Sequence, residues 1–457
     1  MYGKLQGYEY DMWARMGDFT IFGTDGVRGR ANDGMITPLN VTKLAVSVVN
    51  YYFATDHKSV NDKFTVVIGK DTRLSGYMLE PALTAGFIAA GADVVLLGPI
   101  PTPGVAFMTK SLRADLGVVI SASHNPYYDN GIKFFSSEGF KISTAAEIAI
   151  SEIFAKDQRL APPDHTGKAM RLDDAAGRYV EFIKSSFPRH LNLTGLKMVV
   201  DSANGAAYKI APQVFWELGA EIVRVGCEPN GLNINKDCGA TDTKKLQKVV
   251  LDNEADIGIA LDGDADRLIV IDEIGDVIDG DFLISAIAMN WQNEGRLSGK
   301  NVVATTMSNI GMEKYLNSIG LMLLRSDVGD KNVIQKMIEI GANIGGEKSG
   351  HIIPIDYSTT GDGIISSLQI LSFLKKNALK TSELKKLYEP YPQVTINIPD
   401  TTDMTHLEFK TVEEEVKKIV GDTGRVIIRR SGTEPITRIM IEAETKSLID
   451  RAIKFFM

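Results

Sequence analysis

At 457 residues the chain exceeds what one hydrophobic core usually organises, about 250–300 residues, so more than one domain is expected. With 44% hydrophobic and 24% charged residues it has the balance of an ordinary globular protein, and a net charge of −8 argues against the basic face that non-specific nucleic-acid binding needs. Two cysteines, Cys227 and Cys238, make neither a disulfide framework nor a zinc pattern, which points to a reduced, cytoplasmic setting.

Along the chain, Glu9, Asp11, Arg15 and Asp18 interrupt any apolar stretch near the start, so no secretory signal is expected there. A strand at 64–69 is followed by a helix at 77–91 and strands at 93–98 and 115–121, then a helix at 144–156. The apolar stretch 86–108 contains Asp93 and three prolines, which fits a buried helix, strand and turn and not a membrane span. Alternation of this kind predicts a parallel or mixed sheet with both faces covered.

A second unit is expected after the Pro162-Pro163 linker, with strands at 197–201, 221–225 and 256–261 around a helix at 208–218. A third follows the same plan, with strands at 301–304, 321–324 and 343–345 and a helix at 312–319. After Tyr391-Pro392 the character changes to an alternating edge strand at 393–398, a helix at 412–420, strands at 425–429 and 438–442, and a last helix at 448–456. The fold class is therefore α/β, with three similar mixed-sheet units and a smaller α+β domain at the end.

Four loops carry candidate chemistry. Ser121-Ala122-Ser123-His124-Asn125-Pro126, extended through Asp129-Asn130-Gly131-Ile132-Lys133, follows a strand and so lies at a sheet edge where ligands collect, although Pro126 and Asn130-Gly131 suit any turn. Leu261-Asp262-Gly263-Asp264-Ala265-Asp266-Arg267 places three carboxylates at alternate positions after a buried strand, the hard-oxygen pattern that Mg²⁺ or Ca²⁺ takes. An EF-hand is the rival for this loop, since Glu273 falls at its twelfth position, but Arg267 stands where that loop needs glycine and 268–271 continues as a strand. Gly345-Gly346-Glu347-Lys348-Ser349-Gly350-His351 can grip sugar hydroxyls or form a plain polar turn. Arg429-Arg430-Ser431-Gly432-Thr433-Glu434-Pro435, with Arg438 beyond, reads as a phosphate cradle or a basic surface loop.

Taken together and in this order, the four loops resemble the α-D-phosphohexomutase superfamily, in its bacterial branch acting on glucosamine phosphates. The strings Phe22-Gly23-Thr24-Asp25-Gly26-Val27-Arg28-Gly29, Gly69-Lys70-Asp71-Thr72-Arg73-Leu74-Ser75-Gly76, Asp201-Ser202-Ala203-Asn204-Gly205, Glu228-Pro229-Asn230-Gly231-Leu232-Asn233 and Thr359-Thr360-Gly361-Asp362-Gly363 carry the likeness across nearly the whole chain. Residues 1–17 match nothing in it, Lys348 stands where that branch more often has Gln or Asn, and Ala265 replaces a common Gly.

The resemblance implies four domains around a central cleft: 1–160 with a phosphoserine loop, 161–276 with the metal loop, 277–378 with the sugar loop and 379–457 with the phosphate loop. It implies a covalent phosphate on Ser123 and one Mg²⁺ per chain held by that group with Asp262, Asp264 and Asp266. Glu347 and Ser349 would contact the sugar, and Arg429, Ser431, Gly432, Thr433 and Arg438 the non-reacting phosphate. Arg28, His124, Lys133, Arg267 and His351 match positions lining the reaction centre.

The implied reaction interconverts glucosamine 6-phosphate and glucosamine 1-phosphate through a bisphosphorylated sugar, feeding UDP-N-acetylglucosamine and cell-wall synthesis. The expected partner is this small hexosamine phosphate, with no nucleic acid and no membrane; homodimers are common among the proteins it resembles, but no interface is legible in this sequence. Two alternatives stand beside it: a phosphomannomutase/phosphoglucomutase, and a non-catalytic protein that binds a sugar phosphate or a metal on the same scaffold.

Overall fold

The structure, a computed structural model, describes residues 20–55, 63–399, 406–430 and 436–456. The expected segment 1–17 and the phosphate-loop residues Ser431, Gly432 and Thr433 lie outside them.

Strands β1 Val27–Arg30, β2 Phe64–Lys70, β3 Ala92–Pro99, β4 Leu116–Ile120, β5 Asp129–Ser136 and β6 Ala169–Arg171 form one sheet in the order β1-β5-β4-β2-β3-β6. The middle strands run parallel and are buried along almost their whole length, which is why their sequences are continuous apolar runs without alternation. β5 returns antiparallel to β4. Residues 129–133, taken from sequence as a continuation of the loop, are thus the start of a strand, and this places Lys133 opposite Val119. β6 joins parallel to β3 from beyond the Pro162-Pro163 linker, so the chain crosses that linker and returns to the first sheet before leaving it. The apolar stretch 86–108 resolves into the end of the helix Gly76–Ala89, strand β3 and the start of the helix Thr102–Ser111.

The second sheet has β7 Lys197–Asp201, β8 Glu221–Val225, β9 Ile257–Leu261, β10 Leu268–Asp272 and β11 Val277–Ile278, ordered β11-β10-β9-β7-β8. The third has β12 Asn301–Thr305, β13 Met322–Ser326, β14 Ile344–Gly346 and β15 Ile352–Pro354, ordered β13-β12-β14-β15. The last sheet is fully antiparallel, with β16 Gln393–Pro399 on the edge, β18 Ile436–Glu442 in the centre and β17 Arg425–Arg430 beyond it.

Packing divides these units unequally. One continuous apolar core runs from Val67 and Leu97 of the first sheet through Val200 and Ile259 of the second to Val302 and Ile344 of the third. The last domain keeps a small core of its own around Val416, Ile439 and Ile441. It meets the third unit through a polar joint. Arg425 Nε donates to Glu442 Oε2 at 2.9 Å and its Nη2 to the Ser308 carbonyl at 2.7 Å, while fully buried Glu442 accepts the Ile310 N–H at 2.8 Å. Among the described residues no helix is long and apolar enough to cross a membrane.

Candidate active site

Three of the four loops start where a strand ends: Ser121 follows β4, Asp262 follows β9 and Glu347 follows β14. Open α/β sheets place ligand sites at such carboxyl edges. Ser123 has a left-handed backbone, φ 49°, and its N–H donates to Ser121 Oγ at 2.9 Å. Two side chains outside the loop hold its carbonyls. Buried Arg73 donates to the oxygens of Ser123 and Asn125 at 3.1 and 2.6 Å, and Asn235 donates to the same pair at 2.9 and 3.0 Å. The Ser123 hydroxyl is thereby aimed at the second domain and donates to Asp262 Oδ2 at 2.6 Å. His124 Nδ1 stands 3.4 Å from the same hydroxyl, although neighbours in sequence seldom point their side chains at one another.

Asp262, Asp264 and Asp266 are all buried, and one oxygen from each lies within 4.8 Å of the others. Asp264 Oδ2 accepts from Thr102 Oγ1 at 2.6 Å and from Lys133 Nζ at 2.9 Å, whereas among the described residues buried Asp264 Oδ1 has no hydrogen-bond donor and buried Asp266 Oδ1 has only His351 Nδ1 at 3.6 Å. Burial, then repulsion by Asp266 and Asp264, pushes the Asp262 carboxyl up to about 8. Converging hard oxygens, one without a donor and another with only a distant one, and a carboxyl that resists ionisation beside its neighbours are what a divalent cation relieves. The residues fit such an ion.

A shell of cations surrounds the trio. Lys133, buried on β5, lies 2.9 Å from Asp264, 3.1 Å from Asp25 and 3.6 Å from Asp266. Burial alone would lower its pKa, but Asp25, Asp264 and Asp266 outweigh that and raise it, so the ammonium is a fixed charge. Arg28 pairs with the Asp25 carboxylate through Nη2 and with its carbonyl through Nε at 3.3 Å. The Arg267 N–H donates to Asp262 Oδ1 at 3.2 Å. Burial, then the charges of Arg267 and Arg28, push the His124 imidazole down to about 4, so it is neutral at pH 7. His351 lies 3.6 Å from Asp266 through Nδ1 and takes the Gly361 N–H on Nε2 at 3.1 Å. Burial opposes its protonation, but Asp266 and then Asp330 raise its pKa above the usual value.

The loop 345–351 lies beside this centre. Glu347 Oε1 accepts the Gly329 N–H at 3.0 Å, and Ser349 Oγ donates to Glu347 Oε2 at 3.3 Å. Arg429 and Arg438 are directly opposite each other on β17 and β18. Like charges so placed repel, and burial followed by the Arg438 charge lowers the Arg429 pKa, while Glu347 opposes that change. A pair of guanidinium groups in this position suits an anion. Glu347 acts electrostatically on Arg267 as well as on Arg429, so it stands between the metal loop and the last domain. Lys348 donates to Gln393 Oε1 at 2.5 Å and faces β16 of that domain.

The structure thus brings Ser123, His124, Lys133, Arg28, Arg267, His351 and the three aspartates together, with Glu347 and Ser349 next to them. It adds residues to which the sequence reading gave no role. Asp25 and Arg73 stood inside quoted strings and their position there was the available signal; Thr102 and Asn235 carried none, because their contacts join distant segments.

Comparison with known proteins agrees with this geometry. Residues 20–161, 177–275 and 279–391 match the family described as phosphoglucomutase/phosphomannomutase in its alpha/beta/alpha domains I, II and III, and residues 379–456 match its C-terminal domain. A protein of Parvibaculum lavamentivorans named phosphoglucosamine mutase is 50% identical over 437 residues, covering 94% of this chain and 96% of its own. One of the same name from Paramagnetospirillum magneticum is 50% identical over 441 residues, covering 95% and 96%. A crystal structure of a phosphoglucomutase/phosphomannomutase family protein from Burkholderia thailandensis shares the fold with a TM-score of 0.81 at 24% identity, covering 95% of this chain and 96% of that one. The N-acetylphosphoglucosamine mutase of Aspergillus fumigatus, crystallised with GlcNAc-6P and magnesium, has a TM-score of 0.66 at 16% identity, covering 98% and 97%. The chain belongs to the phosphoglucomutase/phosphomannomutase family, the α-D-phosphohexomutases.

Proposed function

We propose that the chain is a phosphoglucosamine mutase, interconverting glucosamine 6-phosphate and glucosamine 1-phosphate with Ser123 as the phosphoryl carrier. The observation that carries this reading is the Ser123 hydroxyl donating to Asp262 at 2.6 Å across 139 positions of sequence, inside a buried acidic trio. The names of the relatives at 50% identity over nearly full length support the amino sugar as substrate. A cytoplasmic location follows from the same reading.

A phosphoserine carries about −1.5 to −2 charges at pH 7, and a sugar phosphate brings a similar charge into the same cleft. Asp262, Asp264 and Asp266 would hold one Mg²⁺ with the Ser123 phosphate, and the ion would supply electrostatic stabilisation of the transferring group. Lys133 and Arg267 add fixed positive charge beside it, and Arg28 does so from β1. The P–O bond to Ser123 breaks as a bond to the free sugar hydroxyl forms, and the proton lost by that hydroxyl ends on Ser123 Oγ. His124, neutral at pH 7 and 3.4 Å from that oxygen, is placed to pass the proton. The bisphosphorylated sugar then turns and returns its other phosphate to Ser123. Arg429 and Arg438, with the loop between them, receive whichever phosphate is not reacting. Closure of the last domain keeps water from the phosphoserine.

The test is turnover of glucosamine 6-phosphate, glucose 6-phosphate and mannose 6-phosphate on one preparation, with intact mass measured alongside. Highest kcat/KM for glucosamine 6-phosphate and a phosphate on Ser123 are expected. A clear preference for glucose or mannose phosphate makes the chain a phosphomannomutase/phosphoglucomutase, and no turnover of any of the three leaves a binding protein.

A further inference from the structure

A line of alternating charges leaves the reaction centre and ends in the third unit. From Asp264 it passes to Lys133 at 2.9 Å, from Lys133 to Asp25 at 3.1 Å, from Asp25 to Lys141, and from Lys141 to Asp330, the first residue of the helix Asp330–Ile340. Lys141 is almost wholly buried, with 7% of its side chain exposed. Nothing in the mechanism above uses it.

The two oxygens of Asp25 are divided between different tasks. Oδ2 faces Lys133 and Arg28, the two cations that flank the transferring phosphoryl group, and Oδ1 is taken by Lys141. Burial alone would raise the Asp25 pKa, but Lys133, then Lys141 and Arg28, hold it well below the usual carboxylate range. A carboxylate with one oxygen occupied cannot turn that oxygen toward Lys133. If Lys141 lost its charge, Oδ1 would lose its ammonium partner in a side chain that is only 21% exposed, and Lys133, already 3.1 Å from Oδ2, would be the ammonium drawn toward it. Drawing Lys133 from Asp264 toward Asp25 would move its charge away from the reacting phosphate.

We propose that Lys141 is a positioning residue for phosphoryl transfer, anchored by Asp330 and acting through Asp25 to keep Lys133 and Arg28 directed at the reaction centre. The proposal rests on the mutase reading above. It assigns Lys141 no contact with substrate, so its loss acts on the transfer step and not on binding of the sugar. A neighbouring ion pair supplies the control: Lys331 and Glu147 also join the third unit to the first, at 2.5 Å, without touching Asp25.

The experiment measures kcat and KM for glucosamine 6-phosphate in Lys141→Met, Lys141→Arg and Lys331→Met beside the parent. Lys141→Met is expected to lower kcat at least about tenfold with KM nearly unchanged, since small misplacements of catalytic groups are that costly. Lys141→Arg should recover most of the loss, and Lys331→Met should match the parent. The proposal is overturned if Lys141→Met stays within about twofold of the parent, if Lys141→Arg is equally impaired, or if Lys331→Met loses as much. Should Lys141→Met not fold by thermal unfolding, Lys141→Gln takes its place: a fall in kcat with unchanged KM supports the anchor, and parental kcat overturns it. A parent inactive on every hexose phosphate would sink the mutase reading, whereas an active parent with an equally active Lys141→Met sinks this assignment alone.

Discussion

A methyl group at Gly263 would stand 2.5 Å from the Ser123 carbonyl oxygen and 2.9 Å from Asn235 Nδ2, so the metal loop and the serine loop touch through a position with no room for a side chain. Both neighbours are held, the carbonyl by Arg73 and Asn235 and the amide by that same carbonyl. Gly263→Ala must therefore push the two loops apart. A loss of about 1–3 kcal/mol in unfolding free energy is expected, as for other overpacked sites, together with a fall in kcat. Thermal unfolding and turnover measured on one sample check it; parental values in both would mean that the loops do not meet this closely.

Ser123→Ala should abolish interconversion and remove the phosphate from the intact mass while leaving divalent-cation binding largely in place, because the three carboxylates remain. Asp264→Asn should do the reverse to the metal, weakening its titration. Retained turnover in Ser123→Ala would remove the serine from the mechanism.

Cation binding should depend on pH in a stated direction. Asp262 has a folded-state pKa of about 8 against an ordinary value of 3.8, so at pH 7 the folded, metal-free site holds a proton that the unfolded chain has released. Metal-free stability from this group is therefore greatest at low pH and declines as pH rises from about 4 through about 8. A bound cation must displace the proton, so apparent affinity should rise with pH, by up to about tenfold per unit, and level off above about 8. Calorimetric titration in two buffers of different ionisation enthalpy at pH 7 should detect close to one proton released; none released would refute the raised carboxyl.

The joint at Glu442 sets how firmly the last domain is attached. Arg425→Ala leaves Glu442 a buried carboxylate with the Ile310 N–H as its remaining described donor. Uncompensated buried charges of this kind typically lose about 3–5 kcal/mol. Hydrogen exchange should accelerate in β16, β17 and β18 and stay slow in β2, β4 and β9, and sugar phosphate should slow it again in the parent. Uniform change over all four sheets would contradict a local joint.

Much of this site was legible because the residues concerned are close in sequence. Asp262, Asp264 and Asp266 could be grouped from their spacing alone, since a turn after a strand leaves them few ways to diverge. The Ser123 loop was ambiguous by itself: its Pro126 and Asn130-Gly131 are ordinary turn residues, and nothing local tells that the hydroxyl meets Asp262. Only the full set of strings, in order, carried that information. Lys133 was taken as loop because Asn130-Gly131 reads as a turn, yet pairing with β4 draws the segment into the sheet, and tertiary packing outweighs local preference there. Asp25, Lys141 and Asp330 belong to three separate segments, and no periodicity links them. Their pairing is a property of how the first and third units dock, which a single sequence does not display.

The shared apolar core of the first three units and the separate small core of the fourth have a practical bearing on heat. Three sheets joined by one shared core, each with a further apolar cluster on its other face, should melt as a single cooperative block, whereas among the described residues nine buried side chains form the core of the terminal piece. Since that piece supplies Arg429 and Arg438, warming should silence the enzyme while most of its circular-dichroism signal is still native. Cooling from that intermediate temperature should bring activity back, because the scaffold that the terminal piece redocks onto has not been lost.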